Sequence, residues 1–139
     1  MASTSLYRCV LITGASSGLG AEFASQLAPV SKALVLVARR LERLKSLAAQ
    51  LEAASPGVQV HCLQADLTEI DQRESVLESI RSLKLEPDFL INNAGIGDYG
   101  EFLSSDWQKV ETMMRINMEA LTHLTHSSLA GMIKQGSGS

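Results

Sequence analysis

Apolar and polar positions alternate in blocks along this chain rather than residue by residue. Residues 8–13, 33–38, 58–64 and 89–92 are short stretches dominated by apolar side chains. Continuous runs of this kind predict strands buried on both faces, the habit of parallel sheets. Between them the apolar spacing lengthens to three and four residues, the period of a helix packed on one side. A first helix is predicted from about Ala21, with Phe23 and Leu27 on one face and a stop near Ala28 and Pro29. Leu41, Leu44, Leu47, Leu51 and Ala54 mark a second, ended by Ser55, Pro56 and Gly57. Ile70, Val76, Leu77 and Ile80 mark a third, which ends before Glu86, Pro87 and Asp88. A long helix is predicted from about Ser104 to Ile133, with Asp106 at its start.

Strand and helix alternate four times, and all three prolines fall in the connections. This pattern predicts an α/β fold: a Rossmann-type, doubly wound parallel sheet with right-handed crossovers, truncated after about four strands and four helices. Residues 1–139 are read as a single domain, with a flexible tail over about 134–139 that ends in Gly136, Ser137, Gly138 and Ser139.

The first strand runs directly into Gly14-Ala15-Ser16-Ser17-Gly18-Leu19-Gly20. A strand that breaks into a glycine turn and then a helix suits a phosphate, because the backbone can approach closely and the helix N-terminus offers unpaired N–H groups. A bare tight turn is the plainer alternative. The positions after the other strands favour the ligand: Arg39 follows the second, Asp66 the third, Asn93 the fourth, all on the edge where such sheets hold their ligands. The tip of the second strand, Ala38-Arg39-Arg40, carries no carboxylate for a ribose 2′-hydroxyl. Two guanidiniums there would instead attract a 2′-phosphate, which favours NADP(H) over NAD(H). The alternative is that Arg39 and Arg40 are solvated residues opening the next helix.

These residues resemble the short-chain dehydrogenase/reductase family. Thr13-Gly14-Ala15-Ser16-Ser17-Gly18-Leu19-Gly20 is similar to its T-G-x-x-x-G-x-G cofactor loop. Asp66-Leu67 is similar to the pair that contacts adenine, and Asn92-Asn93-Ala94-Gly95 to its N-N-A-G turn. Asn117 is similar to the helix asparagine that the family uses in catalysis. Without the resemblance, Asn117 reads as an amide among Trp107, Val110, Met114, Leu121 and Leu124, satisfied by nearby backbone. The resemblance implies a dinucleotide-binding oxidoreductase acting on an alcohol or carbonyl substrate. Cofactor contacts are implied for Gly14, Ser16, Ser17, Gly18, Leu19, Gly20, Arg39, Arg40, Asp66, Leu67, Asn93, Ala94 and Gly95. It also implies a tyrosine with a lysine four positions on, since a cation is needed to ionise a phenol of pKa about 10 at neutral pH. Tyr7 is followed at that spacing by Leu11 and Tyr99 by Leu103. The catalytic serine, tyrosine and lysine are therefore expected beyond Ser139, and the chain alone is expected to be inactive. The alternative is a non-catalytic nucleotide-binding or subunit-interaction module.

Composition changes little. The chain has 139 residues, 45% hydrophobic and 19% charged, and a net charge of −3. Mild acidity argues against a nucleic-acid binder that works by bulk charge. No apolar run reaches the roughly 18–20 residues needed to span a bilayer, and residues 1–8 lack a signal peptide's apolar core. Cys9 and Cys62 read as reduced core residues, consistent with a cytoplasmic protein. No metal site is expected: His123 and His126 lie one turn apart without further ligands, and His61 reads as a packed core histidine. Met113, Ile116 and Ala120 make a second apolar stripe on the long helix, so a homo-oligomer through Trp107–Met132 is expected. An unpaired edge on the fourth strand would also favour association.

Overall fold

The computed structural model describes residues 6–139. Residues 1–5, part of the segment read as lacking a signal peptide, lie outside the described residues. Strands β1 (Tyr7–Thr13), β2 (Ser31–Ala38), β3 (Gln59–Gln64) and β4 (Phe89–Ile91) form one parallel sheet in the order β3-β2-β1-β4. The chain builds outward from β1 to β3, then crosses back to place β4 on the other side of β1. The strand order therefore reverses between β1 and β4, and a crevice opens there at the carboxyl ends of the strands.

Strand residues alternate between two cores, as the two-residue period of a strand requires. Val10, Ile12, Leu34 and Leu36 point to the face covered by α1 (Gly18–Leu27) and α2 (Leu41–Ala54). Cys9, Leu11, Val35 and Val37 point to the other face, where Val76 and Ile80 of α3 (Ile70–Ser82) pack. The long helix covers that same face. It comprises α4 (Trp107–Met114), a π-helical bulge (Arg115–Ala120) and α5 (Leu121–Gln135) in unbroken succession.

Several local expectations are corrected. Helix α1 starts at Gly18, not Ala21, so two glycines of the loop lie in its first turn, and it buries Gly20 and Ala24 while Phe23 is exposed. The long helix starts at Trp107, because Asp106 caps it by accepting from the Gln108 N–H at 3.1 Å. Its inward stripe is Ile116, Ala120 and Leu124, whereas Trp107, Met114, Met118 and Leu121 are exposed. The wider π turn shifts the helical phase, so a stripe counted at constant spacing lands on the wrong face. Ile116 and Ala120, two of the three residues of the stripe from which self-association was expected, are thus turned into the core. His61 is only half-buried, because β3 is an edge strand, and its Nε2 has no hydrogen-bond partner among the described residues. The residues expected to form a tail are hydrogen-bonded. Gly136 and Ser137 N–H groups close the helix on the Ile133 and Met132 carbonyls at 3.1 and 3.2 Å. Ser139 then pairs with β4, donating to the Asp88 carbonyl at 3.1 Å and accepting from the Leu90 N–H at 2.9 Å. The β4 edge expected to be open is partly covered by the chain's last residue.

The two cysteines belong to opposite faces of the sheet, Cys9 to one core and Cys62 beside the other. Burial first, and then the neighbouring Asp88 carboxylate, pushes the Cys9 thiol up to about 12. A thiol raised in the folded state stabilises it fully below the ordinary pKa and loses that contribution as pH rises toward the folded value. Stability is thus expected to decline from about pH 9 upward. A chromogenic disulfide reagent at pH 8 is expected to leave Cys9 unmodified until urea unfolds the chain; rapid labelling of Cys9 in the native protein would contradict this. Among the described residues, no helix is long and apolar enough to cross a membrane.

Candidate cofactor site

The crevice beside the strand reversal is a cleft of about 290 Å³. Four segments meet there: the loop after β1 (Gly14, Ser16, Ser17), the end of β2 (Ala38, Arg39, Arg40), the turn after β3 (Asp66, Leu67, Thr68) and the turn after β4 (Asn93, Ala94, Gly95).

The β1 and β4 turns are clasped together. Thr13 Oγ1 accepts from the Asn93 and Ala94 N–H groups at 3.1 and 3.0 Å. The Asn93 side chain returns the contact, its Nδ2 donating to the Thr13 and Gly14 carbonyls at 3.1 and 3.2 Å. Side chains are excluded between the two turns. A Cβ on Gly14 would lie 2.9 Å from Ala94 Cα, and its φ of +66° is itself left-handed. A Cβ on Gly20 would lie 2.3 Å from the Gly14 carbonyl oxygen. Glycine is required here because backbone packs on backbone, leaving the loop's outer side free for a ligand. Asn92 points elsewhere, its Nδ2 donating to Thr125 Oγ1 of α5 at 2.9 Å.

Charge sits beside the glycine loop. Arg39 and Arg40 are exposed at the cleft mouth, and Arg40 Nη2 rests on the Ser16 and Ser17 hydroxyl oxygens at 3.2 and 3.0 Å. A guanidinium only donates, so both serine hydroxyls keep their protons available to a phosphate oxygen. Just past the end of the neighbouring strand β3, Asp66 Oδ1 accepts from the Thr68 N–H and hydroxyl at 3.0 and 2.7 Å. Asp66 Oδ2 has no hydrogen-bond partner among the described residues and remains a free acceptor. A glycine cradle, two guanidiniums and a carboxylate acceptor lining one cleft suit a phosphorylated dinucleotide.

Ten of the residues expected to contact cofactor line this cleft; Gly18, Leu19 and Gly20 do not, and Leu19 is exposed. Asn117 is not the buried amide its apolar neighbours suggested. It is exposed and satisfied by backbone: Nδ2 donates to the Ile96 carbonyl at 2.8 Å, and Oδ1 accepts from the Ile96 N–H at 3.0 Å. It thereby fastens the segment following Gly95, whose own Cβ position lies 3.0 Å from Asn117 Oδ1. Lys109 reinforces this segment through Asp98, holding that carboxyl below the usual range chiefly by hydrogen bonding. Sequence reasoning missed Thr13, Thr68, Ile96, Thr112 and Ile116. Thr13 was legible as the last strand residue before the glycine turn; Thr112 and Ile116 were not, because they reach the cleft only through the packing of α4 and the π bulge.

The short chain dehydrogenase family model matches residues 8–139. A sulfoacetaldehyde reductase of Chromohalobacter salexigens is 34% identical over 134 residues, which cover 94% of this chain and 51% of that protein. The solved short-chain dehydrogenase of Sphingobium yanoikuyae in complex with NADPH is 40% identical with a TM-score of 0.85, over 94% of this chain and 51% of that one. The L-sorbose reductase of Gluconobacter frateurii, complexed with NADPH and L-sorbose, is 30% identical with a TM-score of 0.89, over 99% and 52%. This chain thus spans about half the length of these relatives. With the family model matched over nearly the whole of this chain, and the glycine loop and N-N-A-G turn set on a parallel sheet, the chain belongs to the short chain dehydrogenase family.

Proposed function

We propose that this chain holds the cofactor of an NADP(H)-dependent oxidoreductase that moves hydride between nicotinamide and an alcohol or carbonyl carbon. The observation that carries this is the meeting of the glycine cradle, Arg39 with Arg40, and Asp66 in one cleft at the strand reversal. The NADPH complexes of the Sphingobium and Gluconobacter relatives support the choice of cofactor.

The bound cofactor would supply the hydride. The chain's own residues supply binding and orientation. Loop N–H groups and the Ser16 and Ser17 hydroxyls would hold the pyrophosphate at the N-terminus of α1. Arg39 and Arg40 would hold the 2′-phosphate, and the free oxygen of Asp66 would accept from the adenine amino group. Neither Tyr7 nor Tyr99 has a lysine four positions on, so this chain by itself is expected to bind cofactor without turning it over.

Fluorescence titration tests the reading. NADPH is expected to bind more tightly than NADH. Replacing Arg39 and Arg40 together by alanine is expected to weaken NADPH about 10- to 100-fold, because two charged but solvent-exposed contacts are lost. NADH, which lacks the 2′-phosphate, should lose much less, only what the release of Ser16 and Ser17 from Arg40 costs. Equal affinities for the two nucleotides in the unaltered chain would overturn the 2′-phosphate reading, and no binding of either would overturn the cofactor reading itself.

A further inference from the structure

Arg73 of α3 has one of the largest fully buried side chains among the described residues, and it is a cation only 1% exposed. A charge survives burial only when paired and hydrogen-bonded. Nη1 of Arg73 donates to the Leu67 carbonyl at 2.8 Å and to the Thr68 carbonyl at 3.4 Å. Nε donates to His123 Nδ1 at 3.3 Å, and Nη2 pairs with the Glu119 carboxylate.

The guanidinium thus joins the turn after β3 to the long helix, which lies about fifty positions further on, at both its π bulge and the start of α5. Leu67 and Thr68 line the cleft, as does Ile116 of the bulge, while Arg73 itself does not. A plain core position on α3, beside Val76 and Ile80, would be served as well by an aliphatic side chain, since buried ion pairs are often replaceable without loss of stability. What an aliphatic side chain lacks is the fork of donors that fixes two successive carbonyls of a ligand-facing turn.

We propose that Arg73 is a positioning residue for the adenine side of the cleft: its buried guanidinium, anchored on Glu119, holds the Leu67–Thr68 backbone in the geometry that binds the cofactor's adenosine half. The inference rests on the dinucleotide reading above and adds to it a residue that no ligand touches.

The test uses two half-cofactors, adenosine 2′,5′-bisphosphate and nicotinamide mononucleotide, titrated into the chain by calorimetry alongside NADPH. Arg73→Lys keeps the charge and loses the fork. It is expected to weaken the bisphosphate about 10-fold, the value of one charged hydrogen bond, and to leave the mononucleotide unchanged. Glu119→Ala, at a half-exposed site, removes the anchor while leaving the core intact, and is expected to weaken the bisphosphate several-fold with the same selectivity. It decides the matter if Arg73→Lys does not fold. A merely structural role would change thermal stability without separating the two halves. Folded variants that bind the bisphosphate as the unaltered chain does would overturn this inference and leave the cofactor reading standing. Failure of the unaltered chain to bind NADPH would overturn both.

Discussion

Gly20→Ala is expected to destabilise the chain by about 2–3 kcal/mol and to weaken dinucleotide binding about a hundredfold, even though alanine is the better helix former. Gly20 lies in the first turn of α1, where propensity alone would favour alanine by about 1 kcal/mol. The new methyl would lie 2.3 Å from the Gly14 carbonyl oxygen and 2.6 Å from Asn93 Nδ2. The first of these is backbone and cannot rotate away. The second is the amide that ties the β4 turn to the Thr13 and Gly14 carbonyls, so relieving one contact breaks the other. Overpacking on this scale costs typically 1–3 kcal/mol and outweighs the helical gain. For a chain of this size a loss of 2–3 kcal/mol lowers the melting temperature by about 5–10 °C. Gly97→Ala is the control, since nothing lies within 4 Å of its Cβ position. A Gly20→Ala variant that melts above the unaltered chain would show that the two turns are not in contact as described.

Arg73→Ala is expected to cost about 3 kcal/mol, seen as a fall of roughly 10 °C in calorimetric melting. The Leu67 carbonyl loses its close donor, His123 Nδ1 loses another, and a void opens beneath α3. The lost attraction to Glu119 adds little, because the Glu119 side chain is 54% exposed and regains water once released. Arg73→Met refills most of the volume and removes the charge, so it should recover part of the loss. Arg73→Ala melting with the unaltered chain would mean that the guanidinium bears no structural load. Binding at temperatures well below the variants' midpoints keeps this effect apart from the selective loss of adenosine affinity proposed above.

The two residues differ in how visible they are in sequence. Gly20 belongs to a spaced motif between a strand and a helix, and the motif names the position even before its neighbours are known. Arg73 stands among Gln72, Glu74 and Ser75 and reads as one more solvated charge. The surroundings that bury it come from Leu67, Glu119 and His123, the last two about fifty positions away, and no local pattern announces such a meeting.

The same division holds elsewhere. The sequence by itself determined the alternation of strands and helices, the two-sided burial of β1 and β2, the glycine cradle, and most of the cleft-lining residues. Each of these is written in short-range spacing, because strand and helix periods and the demands of a tight turn act over a few residues. The tertiary structure decided the rest. It set the β3-β2-β1-β4 order, the phase of the long helix past its π bulge, the seat of Arg40 on Ser16 and Ser17, and the pairing of Ser139 with β4. It also named the backbone that satisfies the Asn117 amide, which is Ile96 across the edge of the cleft. These features depend on which distant segments come to lie side by side, and that is fixed by the burial of whole faces rather than by the preference of any one stretch.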